Sequence, residues 1–342
     1  MATHLLVGNP TAQSGKNKER IARARELLAE AAIDHDFAAT LPKGGTVAMV
    51  ADALRAKPYS TVIYMGGDGT FAEVAKGLLA SGRAAEVALA MLPTGTANDQ
   101  GKSFGLAADA GALEHNVAVI KANARCKLDV GRLDALDARG GVVKQDAFFD
   151  SAGWGISPRV LKVRNEDRKT IEGIPVLRDI YRDHLVYAGA LFRTFLASYV
   201  DDDKFDVSLV CDGQDFAWEG LTDLVVKGTS VYGGAWVFDR ESKPDDGLFE
   251  VVPFAGKRDW LSKAIVHLDL NPVPKEALAA VGVSHSESVR ARSIELRFAP
   301  RSTEVPLAAQ IDGEEFVATP RVRITVDARA LTLVVPEAYA TG

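Results

Sequence analysis

Cysteine is scarce in this chain, and neither of its two cysteines belongs to a metal-binding pattern. Cys126 and Cys211 lie far apart in the sequence, without a CxxC or Cys/His spacing. This absence argues against a zinc site and against a disulfide framework. It favours a reducing compartment, the cytoplasm.

Long apolar runs and an excess of positive charge are also missing. No window approaches the roughly 20 apolar residues that a membrane-spanning helix needs, and the apolar run at the N-terminus is too short for a signal peptide. Any membrane contact is therefore expected to be peripheral. The formal net charge of −6 makes nucleic acid an unfavourable partner, because nucleic acids bind to basic surfaces.

The composition is that of a globular protein, with 47% hydrophobic and 25% charged residues in a chain of 342. This length suits two domains. In the first third, predicted strands at His4–Val7, Thr61–Met65 and Val87–Leu92 alternate with segments whose apolar residues have helical spacing. The alternation predicts a mostly parallel sheet flanked by helices.

The second half contains short segments with the pattern of strands. Ser293–Phe298 and Arg321–Val326 alternate polar and apolar residues, as half-buried strands do. We expect the domain boundary near Asn123. The prediction is an α/β domain over 1–123 and a β-rich domain over 124–342.

Loops rich in glycine, threonine, serine and asparagine follow the three predicted strands, beginning near Asn9, Gly66 and Thr94. In a parallel sheet, loops at the carboxyl ends of the strands share one edge, where ligands bind. Small residues let backbone N–H groups approach phosphate, so the pattern predicts a nucleotide site. Asp68 in the second loop would repel phosphate unless a cation or a proton accompanies it, and phosphoryl transfer supplies both.

These loops match neither the GxxxxGK[ST] P-loop nor the GxGxxG dinucleotide fingerprint. Asn9-Pro10 to Ser14-Gly15-Lys16, then GGDGT at 66–70, then PTGTAND at 93–99 resembles the diacylglycerol kinase catalytic family, which includes bacterial lipid kinases, sphingosine kinases and ceramide kinases. GGDGT alone also resembles NAD kinases and phosphofructokinases, whereas PTGTAND selects the lipid branch. Further family motifs follow in order: Leu128–Gly131, Ala152–Gly155, Tyr232–Gly234, Asp245–Phe249 and Asp312–Glu314.

The resemblance implies an NAD kinase/diacylglycerol kinase-like nucleotide domain and a β-rich, sandwich-like second domain. It also implies an ATP-dependent lipid kinase that transfers the γ-phosphoryl group to a lipid hydroxyl. Diacylglycerol, which would give phosphatidic acid, is the leading acceptor, and ceramide or a sphingoid base is the alternative. PTGTAND and an apolar segment at 185–196 oppose an NAD kinase, and the retained Asp68, Asp312 and Glu314 oppose a non-catalytic nucleotide-binding module.

By resemblance, ATP would be contacted by residues from all of these loops. They are Asn9, Thr11, Thr40, Gly66, Gly67, Asp68, Gly69, Thr70, Thr94, Gly95 and Thr96. Thr40 is equally compatible with an ordinary loop threonine, so its role is left open.

Two acidic residues compete for the role of general base. The resemblance implies Asp312 as acceptor of the lipid hydroxyl proton, with Glu314 sharing the task in some members, whereas sphingosine kinases use the aspartate that corresponds to Asp68. A base has to lie within hydrogen-bond reach of the hydroxyl that it deprotonates. Asp312-Gly313 is also a strong signal for a type I′ hairpin turn, so a purely structural role stays open.

Magnesium is implied at two places by the same resemblance. Asp246 is similar to a family Mg²⁺ site completed by backbone carbonyls, here those of Lys243 and Leu248, although a solvated turn is the structural alternative. Mg²⁺ prefers oxygen ligands and retains several waters. A second set matches a charged network that in relatives helps to hold a catalytic Mg²⁺ through water: Lys16, Asp99 and Asp129.

The chain departs from the family pattern in its second half. Asp150 stands where relatives often have asparagine, Ile156-Ser157 replaces an aromatic residue and an acid, and the usual proline after Gly234 is missing. These changes weaken the substrate assignment more than the ATP assignment.

A basic stretch and an apolar segment are candidates for contact with a lipid surface. From Ser157 to Arg182, seven Lys or Arg residues stand against four acids, and 185–196 is apolar nearly all round. Docking on anionic headgroups at the inner membrane face is one interpretation, and burial of an apolar helix in the core is the other. We expect a cytoplasmic protein whose partner is a lipid at the membrane surface, and the sequence leaves a homodimer open.

Overall fold

The structure, a computed structural model, describes residues 3–10, 16–95, 97–158, 204–233, 236–237, 242–256, 259, 287–302 and 307–341. The described residues fall into two compact units. The first unit includes Met1–Val130, Pro244–Gly247 and Asp327–Gly342, and the second includes Gly131–Lys243 and Leu248–Val326. The end of the chain therefore belongs to the same unit as its beginning.

The first unit alternates strands and helices along the chain. Its strands are β1 (His4–Gly8), β2 (His35–Ala39), β3 (Thr61–Gly66), β4 (Ala88–Pro93) and the first part of β5 (Arg125–Leu136). Its helices are α1 (Lys16–Glu30), α2 (Gly45–Ala56), α3 (Asp68–Ala80), α4 (Asp99–Ser103) and α5 (Leu113–Ala122), with a 3-10 turn at Ala110–Ala112.

The sheet of the first unit is parallel, with strand order β2-β1-β3-β4. Every residue of β3 and β4 is buried, as expected for parallel strands covered on both faces. The second half of β18 (Arg321–Val334) lies beside β4, where Leu333 is opposite Leu89. This arrangement confirms the predicted α/β class.

The second unit is built from strands. They are the second part of β5, β6 (Val142–Phe148), β7 (Ser151–Gly155), β8 (Phe205–Cys211), β9 (Gln214–Leu221), β10 (Asp223–Lys227), β11 (Val231–Tyr232), β12 (Trp236–Val237), β13 (Phe249–Phe254), β14 (Val289–Ala291), β15 (Ser293–Pro300), β16 (Ala309–Ile311), β17 (Glu314–Phe316) and the first part of β18. The β-rich prediction is therefore confirmed.

Two antiparallel layers share the core of the second unit. One has the strand order β18-β15-β8-β9, and the other has the order β14-β13-β10-β7-β16-β17. Trp154 on β7 and Phe298 on β15 join the layers, with ring centroids 5.3 Å apart, and Phe205 on β8 lies 5.8 Å from Phe298. Large aromatic side chains bury much apolar surface, so this cluster stabilises the packing of the two layers.

A buried carboxyl group lies at the start of β10. Asp223 is fully buried, and its two oxygens accept hydrogen bonds from the Ser157 backbone N–H (3.2 Å) and hydroxyl (3.1 Å). Tyr232 donates in turn to the Ser157 hydroxyl (2.9 Å). Burial raises the pKa of Asp223 well above its ordinary value, because the charged form loses its hydration.

This raised pKa predicts that wild-type stability declines with increasing pH relative to an Asp223→Asn variant. The folded protein retains a proton that the unfolded chain releases above about pH 4, so the stabilisation is full below that pH and is lost as the pH rises towards the folded pKa, by up to about 1.4 kcal/mol per pH unit. Urea unfolding of both proteins at pH 5, 6, 7 and 8 measures the difference. A difference that does not change with pH would contradict a proton on Asp223 in the folded state.

Candidate active site

The loops predicted to bind ATP lie at one edge of the parallel sheet. Thr40, after β2, donates its backbone N–H to the Gly8 carbonyl (2.9 Å), and Asn9, after β1, donates to the Met65 carbonyl (3.3 Å). Thr94, after β4, donates to the Gly66 carbonyl (2.7 Å). Because the strands are parallel, all four loops occupy the carboxyl edge, where α/β sheets bind ligands.

The two glycine-rich loops touch through their backbones. A Cβ added to Gly95 would lie 2.5 Å from the Gly67 Cα atom, and one added to Gly66 would lie 2.4 Å from Thr70 Oγ1. Any side chain at Gly95 would therefore push the loops apart. The absence of side chains leaves backbone groups at the surface, which is the way in which proteins cradle phosphate.

Asp68 begins α3 at the centre of this edge. Its Oδ2 atom accepts a hydrogen bond from the Asn98 backbone N–H (2.8 Å), whereas its Oδ1 atom is buried and accepts none from the described residues. Burial raises the pKa of Asp68, and the backbone N–H groups of residues 98–100 act against this shift. A buried acceptor without a donor is costly, so this oxygen fits a site for a cation or a transferred proton.

Asn98 organises the site, although the sequence patterns gave it no individual role. Its backbone is left-handed, with φ 50°. Its side chain accepts a hydrogen bond from the Gly95 backbone N–H (3.0 Å) and donates to the Gly95 carbonyl (2.5 Å). Asn98 thus links the third loop to Asp68. In the sequence, an asparagine in this loop is the indication of such a position, because asparagine adopts left-handed backbone more readily than most residues.

Asn17 has a similar role in the first loop. It is fully buried near the start of α1, and its Nδ2 atom donates to the Asn9 carbonyl (2.6 Å). A buried amide needs such a partner. The contact anchors Asn9 to α1 and therefore fixes the beginning of the loop.

Asp129 holds backbone segments rather than presenting free oxygens. Oδ2 accepts from the Gly247 backbone N–H (2.6 Å) and Oδ1 from the Arg329 backbone N–H (2.6 Å), while the Asp129 N–H donates to the Pro244 carbonyl (2.7 Å). Burial, and then the charges of the neighbouring Asp246 and Asp245, raise the pKa of Asp129 against these hydrogen bonds.

Replacing Asp129 by alanine should lower the free energy of unfolding by about 3 kcal/mol, because two backbone donors lose their acceptor at about 1–3 kcal/mol each. Asp246→Ala is the matched control, since Asp246 is exposed and surface substitutions change stability by about 0.5 kcal/mol or less. Urea unfolding measures both variants. Equally small changes in the free energy of unfolding of the two variants would contradict a stabilising role for the hydrogen bonds of Asp129.

The predicted metal ligands are only partly grouped in the structure. Asp99 begins α4 next to Asn98 and therefore lies with Asp68, whereas Asp129 lies with Asp245 and Asp246. Among the residues that the structure describes, no group of three or more His, Cys, Asp or Glu side chains is arranged to hold a metal ion. Asp246 and the carbonyls of Lys243 and Leu248 are oxygen donors, so the donor type suits Mg²⁺.

Asp312 lies in the turn between β16 and β17. Asp312 (φ 47°) and Gly313 (φ 76°) both have positive φ, as a type I′ turn requires. The buried carboxylate also makes long-range contacts: Oδ1 accepts from the backbone N–H groups of Phe149 (3.0 Å), Asp150 (2.8 Å) and Ser151 (3.3 Å). Glu314 is the exposed first residue of β17.

Several predicted features lie outside the described residues. They are Thr11, Thr96, the Lys16 side chain, most of the basic stretch from Ser157 to Arg182, and the apolar segment 185–196. Within the ranges that are described, none of the helices combines the length and apolar character needed to cross a membrane.

Comparisons with known proteins agree with this fold. Residues 3–133 match the family model described as the diacylglycerol kinase catalytic domain. A relative from Pseudomonas aeruginosa, named "Probable lipid kinase YegS-like", is 29% identical over 240 residues, which cover 70% of this chain and 68% of the relative. A relative of the same name from Klebsiella pneumoniae is 29% identical over 245 residues, covering 71% and 72%.

Solved structures show the same fold. A diacylglycerol kinase from Bacillus anthracis superposes with a TM-score of 0.69 at 21% identity, covering 98% of each chain. Yeast NADH kinase in complex with NADH gives a TM-score of 0.50 at 8% identity, covering 98% of this chain and 83% of the other. The fold class is thus that of diacylglycerol kinase-like and NAD kinase-like proteins.

The match to a kinase catalytic domain and the relatives named as probable lipid kinases support a kinase. The chain thus resembles the diacylglycerol kinase catalytic family, with the match to its catalytic domain confined to residues 3–133.

Proposed function

We propose that this kinase transfers the γ-phosphoryl group of ATP to the hydroxyl of a lipid, with diacylglycerol as the first acceptor and phosphatidic acid as the product. The observation that carries the proposal is the meeting of four loops at one sheet edge, where Gly67 and Gly95 are in backbone contact. Such an edge suits a polyphosphate. The names of the curated relatives support a lipid as acceptor.

In this proposal, Asp312 accepts the proton of the lipid hydroxyl. Three backbone N–H groups hold its carboxylate in one orientation, which a base that has to reach a particular hydroxyl requires. Asp68 is the alternative base because its Oδ1 atom has no donor among the described residues. Glu314 would assist the base from the neighbouring strand.

ATP would be held by the predicted loop residues, and Mg²⁺, when bound, would neutralise charge on the phosphates. Asp68 and Asp99 would hold the catalytic ion, with Asp129 organising the adjacent segment. Asp246 and the Lys243 and Leu248 carbonyls would hold a second ion. Phosphoryl transfer depends mainly on positioning and charge neutralisation, and this donor set suits both.

The acceptor lipid would be met at the inner face of the membrane by a protein otherwise in the cytoplasm. Support for this location comes from the sequence alone, through the basic stretch and the apolar segment after it. A homodimer is compatible with the proposal and is not required by it.

A screen of acceptors with γ-labelled ATP tests the proposal. The purified protein is incubated with Mg²⁺ and micelles of diacylglycerol, ceramide or sphingosine, and with soluble NAD, and products are separated by thin-layer chromatography. We expect labelled phosphatidic acid from the diacylglycerol reaction. Label in ceramide or sphingosine would move the assignment to the alternative acceptor, label in NAD would overturn the lipid assignment, and no label in any product would overturn the proposed catalysis.

A further inference from the structure

Three segments of the second unit meet at one end of β7. In the layer that contains it, β7 lies between β10 and β16, with Ser151 opposite Lys227 and Ala152 opposite Ile311. Asp150 precedes β7, Thr229 follows β10, and Asp312 follows β16. The register therefore brings a hydroxyl and two carboxylates from distant parts of the chain to the same end of the strand.

Asp150 connects the other two residues. Its backbone N–H donates to Asp312 Oδ1 (2.8 Å), and its own Oδ1 atom accepts a hydrogen bond from the Thr229 hydroxyl. The Gly228 backbone N–H donates to the Asp150 carbonyl (3.0 Å), so both the main chain and the side chain of Asp150 are tied to 228–229. All three side chains are buried.

The main chain of Thr229 is held by a buried lysine. The Lys227 ammonium group, only 1% exposed, donates to the Thr229 carbonyl (2.8 Å) and lies 3.8 Å from Glu250 Oε2. A buried ammonium group has to keep such partners, because an unpaired buried charge is costly. The position of Thr229 is therefore fixed independently of Asp312.

We infer that Thr229 is a positioning residue for Asp312: its hydroxyl holds the Asp150 carboxylate, which fixes the turn 149–151 whose N–H groups orient the Asp312 carboxylate. The inference rests on the proposed function, in which Asp312 is the base. Thr229 acts through Asp150 and contacts neither ATP nor lipid in this role. Small displacements of a catalytic group lower the rate strongly, which makes the effect measurable.

Hydroxyl-specific substitutions test the inference. Thr229→Val keeps the shape of the side chain and removes the hydroxyl, and we expect kcat to fall about 10- to 100-fold with little change in the KM for ATP. Thr229→Ser restores the hydroxyl and should recover most of kcat. Thr222→Val is the matched control. Thr222 is also buried, and its hydroxyl also donates a hydrogen bond, to the Phe254 carbonyl (3.1 Å). It lies at the opposite end of β10 from Thr229, next to Asp223, which pairs with Gly155.

A double mutant separates positioning from general damage to the fold. In an Asp312→Asn background, Thr229→Val should have almost no further effect on kcat, because groups that act as a unit are non-additive. The inference is wrong if Thr229→Val retains wild-type kcat, if Thr229→Ser fails to recover it, or if the full loss persists in the Asp312→Asn background.

Amide hydrogen exchange gives a readout that does not depend on activity. We expect Thr229→Val to reduce protection of residues 149–151 about tenfold or more, towards the level of Asp312→Ala, while Thr229→Ser and Thr222→Val retain it. If no acceptor is phosphorylated by the wild-type protein, the proposed function fails, and the exchange result still decides whether Thr229 orients Asp312. Unchanged protection in Thr229→Val would overturn the inference.

Discussion

An Asp312→Asn variant should phosphorylate lipid about 10²- to 10⁴-fold more slowly than the wild-type protein, the usual contribution of a general base. Asparagine keeps an oxygen that can accept from the N–H groups of Phe149 and Asp150, so the turn is retained. The lost function is proton acceptance. Steady-state kinetics with the best acceptor from the screen, together with calorimetric ATP binding, measure the effect, and ATP affinity should stay close to wild type.

Asp68→Asn and Glu314→Gln are the matched controls for the assignment of the base. Each replaces a carboxyl group by an amide of the same size. If Asp312→Asn retains most of its activity while Asp68→Asn loses it, the base is Asp68, and the contacts of Asp312 serve only the hairpin. If Asp312→Asn and Asp68→Asn both lose activity, and only Asp68→Asn binds ATP more weakly, the result agrees with Asp312 as the base and Asp68 as a residue of the nucleotide site.

A Gly95→Ala substitution should weaken ATP binding about tenfold or more, which corresponds to about 1.4 kcal/mol of binding free energy. The new Cβ atom would lie 2.5 Å from the Gly67 Cα atom. Since the obstacle is backbone rather than a flexible side chain, the two loops have to separate. Isothermal titration of ATP into the variant measures the change.

Gly82→Ala provides the control for this substitution. Gly82 has positive φ (76°), and a Cβ added there meets no atom within 4 Å. The substitution should therefore reduce stability by about 1 kcal/mol through backbone strain and leave ATP affinity unchanged. Wild-type ATP affinity in Gly95→Ala would contradict a nucleotide site at the contact between the loops.

The convergence of the loops was predictable because it depends on local patterns and one topological rule. Alternating strands and helices indicate parallel strands, and the loops after parallel strands share an edge. Asn9, Gly66 and Thr94 are therefore placed together by reasoning from the sequence. The backbone contact of Gly67 with Gly95 is not predictable in this way, since it depends on how far each loop folds over the edge.

The surroundings of the carboxylates illustrate the limit of sequence patterns. The motif at Asp312 indicates a turn and a candidate base, but its donor Asp150 lies 162 residues away in the chain. The resemblance implies that Asp129 belongs to a metal-binding network, whereas in the structure its two oxygens accept hydrogen bonds from backbone N–H groups 118 and 200 residues away. Periodicity and motifs carry no information about such partners.

By itself, the sequence determined the α/β and β-rich halves, the position of the glycine-rich loops after the parallel strands and the resemblance to the diacylglycerol kinase catalytic family, because these follow from residue spacing and short motifs. Only the tertiary structure decided which backbone N–H groups face Asp68, Asp129 and Asp312, and that the hydroxyl of Thr229 reaches Asp150. Hydrogen bonds of this kind depend on the relative position of segments that are brought together by strand register and core packing. That position is a property of the folded chain, and no short stretch of residues encodes it.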